Sequence, residues 1–359
     1  MRKLWMSTRG ISVRGVDIRS SVIFGIVAIA CGLSLSACTP NSSRNAPLLS
    51  AKAEASSPPS VSFEGNPPAW ATTATTVMRQ LEEWRGLPFT EDVQVTFESQ
   101  ADPGLNGWYN SETKQLSVTT EASEQLGQSV LLHEMFHALQ DQQFDLYNLH
   151  LQSMNVPDYD KAVSALIEGE AMLAVSELMN YNFLDHARLP DAGPISEEFF
   201  QNIFLYGEGL RFIQAIRDEG GWAAVDQAFQ DPPQSTALIL NPARYIAGER
   251  EAQLIEVPLQ KGETLQTNQV RGEYEVQWLI AANPDTRTQL PAFAESYMAD
   301  TFGMVTTAEG RTAHRWVVEL DSSESAMRLK EPFEEALLFE SGGMPVTILV
   351  DQSLLIAEW

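Results

Sequence analysis

Two histidines four residues apart, His133 and His137, lie in a stretch of the sequence with a helical pattern. Side chains at positions i and i+4 of a helix project from the same face, one turn apart. Both imidazoles can therefore reach one zinc ion, which takes neutral nitrogen ligands at about 2.0–2.1 Å in a tetrahedral shell. Glu134 follows the first histidine and points to the side of such an ion, where it can act as a general base on water.

The surrounding sequence predicts one helix over residues 121 to about 144, capped by Thr120. Two strands of a hairpin, at 108–109 and 115–118, are predicted before it, and Asn106-Gly107 has the pattern of a turn. The alternative is a pair of buried, hydrogen-bonded histidines beside an incidental glutamate. With five histidines in 359 residues, a chance match to this pattern is rare. Apolar residues that can pack the flanks of this histidine helix are Leu131, Leu132, Phe136 and Leu139.

A catalytic zinc needs a third protein ligand and an open position for water. The candidates are Glu168 and Glu170, in a helix predicted over 159–184 that is apolar nearly all round. Two buried carboxylates need an explanation, because burying a carboxylate is costly unless it is paired or bound to metal. Residues two apart on a helix point about 200° apart, so we expect only one of them to bind the ion. Gly169 between them predicts a close approach of the histidine helix.

These residues resemble the pattern of the gluzincin metallopeptidases, the thermolysin-like class, with His-Glu-x-x-His on one helix and a glutamate ligand on a later one. The stretch Ala-Leu-Ile-Glu-Gly-Glu-Ala at 165–171 is similar to small bacterial members. The resemblance implies one zinc ion bound by His133, His137 and Glu168, and Glu134 as general base. It leaves Glu170 as an alternative ligand or as a support for the ligands. It also implies that an edge strand upstream of the histidine helix, here residues 115–119, lines the cleft.

The chain departs from the thermolysin pattern at Met172, where that ligand helix has an aspartate. Support for the histidines must then come from elsewhere, with Asp141 and Glu170 as candidates. For Asp141, an exposed acid at a helix end is the favoured interpretation. A donor for the oxyanion of the transition state could be Tyr206 or Tyr245, although a packing role is favoured for each.

The first 37 residues have the order of a secretion signal, with basic residues up to position 19 and an apolar run over 22–37. The run has 16 residues, short for a membrane-spanning helix of about 20. It ends in Leu-Ser-Ala-Cys, which is similar to the lipobox of bacterial lipoproteins. The resemblance implies cleavage before Cys38, lipidation of that cysteine and a place in the bacterial cell envelope, outside the cytoplasmic membrane. Thr39 implies the outer membrane in a Gram-negative host. An uncleaved anchor helix is the alternative.

The charge of the chain excludes some classes of partner. Acidic residues outnumber basic ones by 48 to 23, and the net charge is −25. Removing residues 1–37 takes away five basic residues and one acid, which leaves −29. We therefore expect no nucleic acid partner, and contact with a membrane only through the N-terminal lipid. The two cysteines, Cys31 and Cys38, exclude a disulfide scaffold.

The predicted fold class is α+β. It consists of a zincin-like peptidase core, with a small sheet, the active-site helix and a helical lower part, and a smaller C-terminal α+β unit. In that unit Asp300 is predicted to be a surface acid and His314 a strand residue. The predicted segments are a lipoprotein signal at 1–37, a flexible tether rich in Ser, Pro, Asn and Ala at 38–69, a metallopeptidase domain at 70–260, and the C-terminal unit at 265–359, to which no role is assigned.

Three functions are compatible with these patterns. The first is a lipid-anchored zinc metallopeptidase that acts on a peptide or protein substrate. The second is a non-catalytic binding or assembly lipoprotein that retains the zincin fold. The third is a zinc hydrolase that acts on a non-peptide amide.

Overall fold

The computed structural model describes residues 19–23, 57–99, 105–341, 343 and 345–359. This part of the chain is a mixture of helices and two five-stranded sheets, so the predicted α+β class is confirmed. It forms two compact units. Unit 1 ends at Ala138 and leaves out residues 84–86, which belong with residues 139–359 in unit 2. The units divide inside the histidine helix.

Unit 1 contains a mixed sheet with the strand order β1-β4-β5-β3-β2. Strands β2, β3 and β5 run parallel, whereas β4 is antiparallel to both β5 and β1, and the predicted hairpin of β4 and β5 is confirmed. The strands are β1 (Arg19–Ile23), β2 (Val61–Gly65), β3 (Val93–Glu98), β4 (Leu105–Asn110) and β5 (Gln115–Thr119), and the helices that begin in this unit are α1 (Ala74–Arg85) and α2 (Glu124–Phe144).

Strand β2 lies within residues 38–69, for which the sequence predicted a flexible tether without a strand. Residues 61–65 form this strand, in parallel register with β3 from Val61 opposite Val93 to Gly65 opposite Phe97. The composition suggested a flexible segment, but Val61 and Phe63 alternate with polar residues, and this period suits a strand once β3 offers a partner.

The prediction that residues 115–119 form an edge strand is wrong. These residues form β5, which lies between β3 and β4 inside the sheet. The reason is the hairpin, which folds β4 back along β5 and covers the side that would otherwise be an edge. Gly107 belongs to β4 and is paired with Val118, so Asn106-Gly107 is not a turn.

Unit 2 begins with a helical layer around α4, which is buried nearly all round, as predicted. A methyl group at Gly169 would overlap the backbone of Gly209 at the start of α6. The glycine therefore lets α4 and α6 approach each other, and the prediction that it faces the histidine helix is wrong. The elements are α3 (Leu146–Ser153), α4 (Pro157–Leu178), α5 (Glu197–Asn202), a π-helical turn (Ile203–Glu208), α6 (Gly209–Gln230), α7 (Thr236–Leu240) and α8 (Pro242–Ile246).

The rest of unit 2 has the predicted α+β character. Its sheet has the order β6-β7-β8-β10-β9 with antiparallel pairing throughout, and His314 lies in β8 as predicted. Its core includes the rings of Phe293, Trp316 and Phe333. The elements are β6 (Thr264–Gln269), α9 (Glu273–Ala282), α10 (Leu290–Ser296), β7 (Tyr297–Thr306), β8 (Thr312–Leu320), α11 (Ser323–Glu340), β9 (Thr347–Asp351) and β10 (Leu354–Glu358).

Asp300 is fully buried in β7, so the prediction of a surface acid is wrong. Four donors satisfy its carboxylate, as a buried polar group requires. They are the Tyr297 hydroxyl at 2.7 Å, Trp316 Nε1 at 2.8 Å, and the backbone N–H groups of Arg271 at 3.0 Å and Gly272 at 2.8 Å.

The anchor predicted at the N-terminus falls largely outside the described residues. Cys38, the predicted lipidation site, is among these undescribed residues, and so is most of the predicted signal. Within the described ranges, no helix has both the length and the apolar character needed to cross a membrane.

Candidate metal centre

Helix α2 begins later than predicted. Its first turn starts after Ser123, whose Oγ accepts a hydrogen bond from the backbone N–H of Leu126 at 3.4 Å. Glu121 instead accepts from the hydroxyls of Thr119, at 2.6 Å, and Thr120, at 3.2 Å. These bonds keep Glu121 in the turn before the helix, so Thr120 is not the cap. The end of the helix at Phe144 agrees with the prediction.

The two histidines of α2 share one face of the helix, as their spacing predicts. Both are fully buried, and their Nε2 atoms lie 2.9 Å apart. The two rings are nearly perpendicular, at 86°, with their centroids 4.6 Å apart. The same nitrogen of each ring is therefore directed toward one point.

Glu168 of α4 completes a group of three possible metal ligands with His133 and His137. Each residue offers one ligand atom, the three atoms lie within 4.8 Å of one another, and all three residues are buried. In the part of the chain that the structure describes, no other group of three or more His, Cys, Asp or Glu side chains meets these conditions. The group could hold a metal ion, and it is compatible with the His-Glu-x-x-His…Glu pattern. Of the two glutamates that helix geometry left open, Glu168 is the one in the group.

Glu134 is fully buried beside the backbone of β4. A methyl group at Gly107 would overlap the Val130 side chain and lie 3.2 Å from Glu134 Cγ. Strand β4 thus passes the Val130 side chain at a distance that leaves no room for a β-carbon, and the Glu134 side chain lies beside the same glycine. The sequence interpretation missed this contact, because it assigned Gly107 to a turn.

Glu170 lies on the same helix as Glu168 but has different partners. It is fully buried, its Oε1 accepts from Arg85 Nε at 2.5 Å, and its Oε2 accepts from Gln140 Nε2 at 2.8 Å. Burial raises the pKa of Glu170, while the Arg85 guanidinium and the Gln140 amide act in the opposite direction. Sequence reasoning missed Arg85 and Gln140. The position of Gln140, three residues after His137 on the same helix, was the available signal.

Asp141 is buried, so the interpretation as an exposed helix-end acid is wrong. Its Oδ1 accepts from the backbone N–H of Leu146 at 3.1 Å. Since Leu146 is the first residue of α3, this bond lies across the turn between α2 and α3.

The two tyrosines named as oxyanion donors are both buried. Tyr206 lies in the π-helical turn. The Tyr245 hydroxyl donates to the backbone carbonyl of Asp231 at 2.9 Å, and its ring contacts Phe212 edge-on. The oxyanion role stays a prediction for both.

Comparisons of the chain with protein-family models, with curated proteins and with solved structures find no match.

Proposed function

We propose that this protein is a zinc-dependent peptidase that hydrolyses peptide bonds in peptide or protein substrates. The observation that carries the proposal is the buried group of His133, His137 and Glu168, with Glu134 next to His133 in the chain. Two imidazole nitrogens and one carboxylate oxygen form the donor set of catalytic zinc in several hydrolases, and three protein ligands leave a position open for water. Zinc, when bound, lowers the pKa of coordinated water toward 7 and polarises a carbonyl group.

The remaining chemistry falls to Glu134 as general base. Its carboxylate takes a proton from the attacking water while the water oxygen forms a bond to the peptide carbonyl carbon. The carbon–nitrogen bond then breaks, and Glu134 gives the proton to the leaving amine. The products are a carboxylic acid and an amine, so one water molecule is consumed for each bond cleaved. The fully buried position of Glu134 supports this role, because electrostatic interactions are stronger away from water.

Strand β4 offers the means of holding a peptide next to Glu134. In the structure β1 pairs antiparallel with β4, with Val22 opposite Gly107. Residues 19–23 belong to the predicted signal, whose removal before Cys38 would leave β4 at the edge of the sheet. An extended substrate chain can add to such an edge as a strand. We therefore assign to β4 the cleft-lining role that the sequence analysis gave to residues 115–119.

The decisive experiment measures cleavage of an unfolded protein by the zinc-loaded wild type and by Glu134→Gln, with bound zinc quantified in both. Since Glu134 is not in the ligand group, the variant should keep its zinc and lose turnover by at least about 10²-fold. Glu124→Gln, an exposed change in the first turn of the same helix, is the matched control and should keep full activity.

Each other outcome selects a different function. Equal rates for the wild type and Glu134→Gln would show that the cleavage comes from a contaminant. No cleavage by a zinc-loaded wild type would favour the non-catalytic binding lipoprotein. Cleavage of non-peptide amides alone would favour the third function.

We also propose that the mature protein is anchored by a lipid on Cys38 in the bacterial cell envelope. Stable anchoring requires more than one acyl chain, as bacterial lipoproteins carry. Mass spectrometry of the mature N-terminus should find a modified Cys38, and an unmodified terminus at another residue would reject the anchor without affecting the peptidase proposal.

A further inference from the structure

We propose that Gln140, Glu170 and Arg85 form a clamp that positions Glu168 relative to His133 and His137. The three residues touch neither a metal nor a substrate in this proposal, so they are positioning residues. The inference rests on the proposed metal site, but it concerns how the ligands are held and not the reaction they support.

The first part of the clamp is the amide of Gln140. It lies one turn after His137 on α2 and donates two hydrogen bonds to α4. One goes to the backbone carbonyl of Ile167 at 3.1 Å and the other to Glu170 Oε2 at 2.8 Å. Ile167 directly precedes Glu168, and Glu170 follows it by two residues. One side chain of the histidine helix therefore holds α4 on both sides of the third ligand.

The second part of the clamp fixes Glu170 itself. Its other oxygen accepts from Arg85 Nε at 2.5 Å, and Arg85 is as fully buried as its partner. Arg85 is held in turn by Asp226 of α6, and its guanidinium lies 4.4 Å from the ring centroid of Trp222. Both Glu170 oxygens are thus taken by donors from different helices, α1 and α2, so the carboxylate has one orientation.

A second ion pair on α4, between Glu177 and Arg217, differs from the buried pair of Glu170 and Arg85. Glu177, near the end of α4, accepts from Arg217 at 2.6 Å and from Trp84 at 2.8 Å, and its side chain is 41% exposed. Neither of its partners is on α2. Metal ligands need outer partners that hold them in place, and loss of such a partner typically lowers metal affinity by about 10–100-fold.

The test uses Gln140→Met, which has nearly the same volume but no donor. We expect zinc affinity, measured by competition with a chelator, to fall by about 10–100-fold. We also expect the absorption spectrum of the Co²⁺-substituted protein to change, because it reports ligand geometry. The control is Val163→Ala, a buried change on α4 that lowers the thermal midpoint of the metal-free protein without touching the clamp. It should leave the Co²⁺ spectrum unchanged.

Two results would overturn the clamp. One is wild-type zinc affinity and an unchanged Co²⁺ spectrum in Gln140→Met. The other is an equal loss of affinity in Gln140→Met and Val163→Ala, which would mean that general destabilisation is the cause. If Gln140→Met does not fold, Arg85→Lys serves instead: it keeps the charge opposite Glu170 but loses the guanidinium geometry, and the same spectral change is expected.

These measurements are independent of peptidase activity. A wild type that binds zinc but cleaves nothing would remove the proposed function and leave the clamp open to the same test. A wild type that binds no zinc would remove both.

Discussion

Helix α4 buries acidic side chains in two regions, and the two regions neutralise them differently. In its middle, Glu168 meets two imidazoles and Glu170 meets a guanidinium. At its start, Asp158 Oδ1 accepts from the backbone N–H of Thr236 at 3.1 Å and from the Thr236 hydroxyl. Asp158 Oδ2 has no hydrogen-bond partner among the described residues. The middle of the helix therefore pairs its acids with cationic or metal-binding groups, whereas the start offers only hydroxyl and amide donors.

At the start of the helix, the hydroxyl and amide donors do not offset the effect of burial on the acid. Burial raises the pKa of Asp158 to about 7, against the opposing hydrogen bonds from Thr236 and Ser235. Burial likewise raises the pKa of the nearby Glu273, at the start of α9, to about 8. A buried carboxylate without a cation can become neutral by keeping its proton, which suits a structural position but not a metal ligand. Burial of an acid therefore does not by itself identify a metal site.

The two glutamates in the middle of α4 are expected to differ strongly in their effect on zinc binding. Glu168→Gln should lose most of the bound zinc, because an amide is a far poorer ligand than a carboxylate. Glu170→Gln should retain more zinc but lose unfolding free energy, at most about 3–5 kcal/mol, because it removes one of the two carboxylates that pair with the buried Arg85 charge and leaves Asp226 as the other. Zinc content and chemical denaturation of the metal-free proteins check both. A larger loss of zinc in Glu170→Gln than in Glu168→Gln would identify Glu170 as the ligand.

The next prediction concerns the start of α4. The folded-state pKa of Asp158 is above its ordinary value of 3.8, so the unfolded chain releases this proton at lower pH than the folded one. The contribution of Asp158 to stability is therefore lost as the pH rises from about 4 to about 7 and stays lost above that. Asp158→Asn cannot titrate, so relative to the wild type it should gain a few kcal/mol of unfolding free energy between pH 4 and pH 8.

Denaturant unfolding of the metal-free proteins at several pH values measures this gain. Asp321→Asn is the control, because hydrogen bonds from Ser325 and Ser322 lower the pKa of this exposed acid and its pH effect has the opposite sign. A stability difference between Asp158→Asn and the wild type that does not change with pH would mean that Asp158 is ionised in the folded protein. The hydroxyl and amide donors at the start of α4 would then be sufficient to keep this buried acid ionised.

A milder loss of stability is expected from a change at Gly107, which tests the contact beside Glu134. Gly107→Ala should cost about 1–3 kcal/mol of stability, because the added methyl group overlaps Val130 and crowds Glu134. Turnover should fall while zinc content stays constant, since none of the three ligands is involved. Thermal unfolding, zinc content and cleavage assays check this. A fully active and fully stable variant would show that β4 does not approach the helix this closely.

Features that depend on local spacing could be predicted from the amino-acid sequence. The interval of four residues put His133 and His137 on one face of a helix, and the apolar pattern indicated that residues around Glu168 are buried. It also indicated the hairpin before α2 and the mixed α+β class. These features could be predicted because a helix or a strand has a fixed period, so neighbours in the sequence are neighbours on a face.

Which of these faces pack against each other could not be predicted from the sequence and is known from the tertiary structure. It placed Glu168 with the histidines and Glu170 with Arg85, although both lie on one buried helix. In the structure Gly169 packs against Gly209, and β5 lies inside its sheet. Asp300 is buried among hydrogen-bond donors from three segments of the chain. Each of these outcomes depends on a partner distant in the sequence, and for a nearly uniformly apolar helix the amino-acid pattern is the same whichever partner it meets.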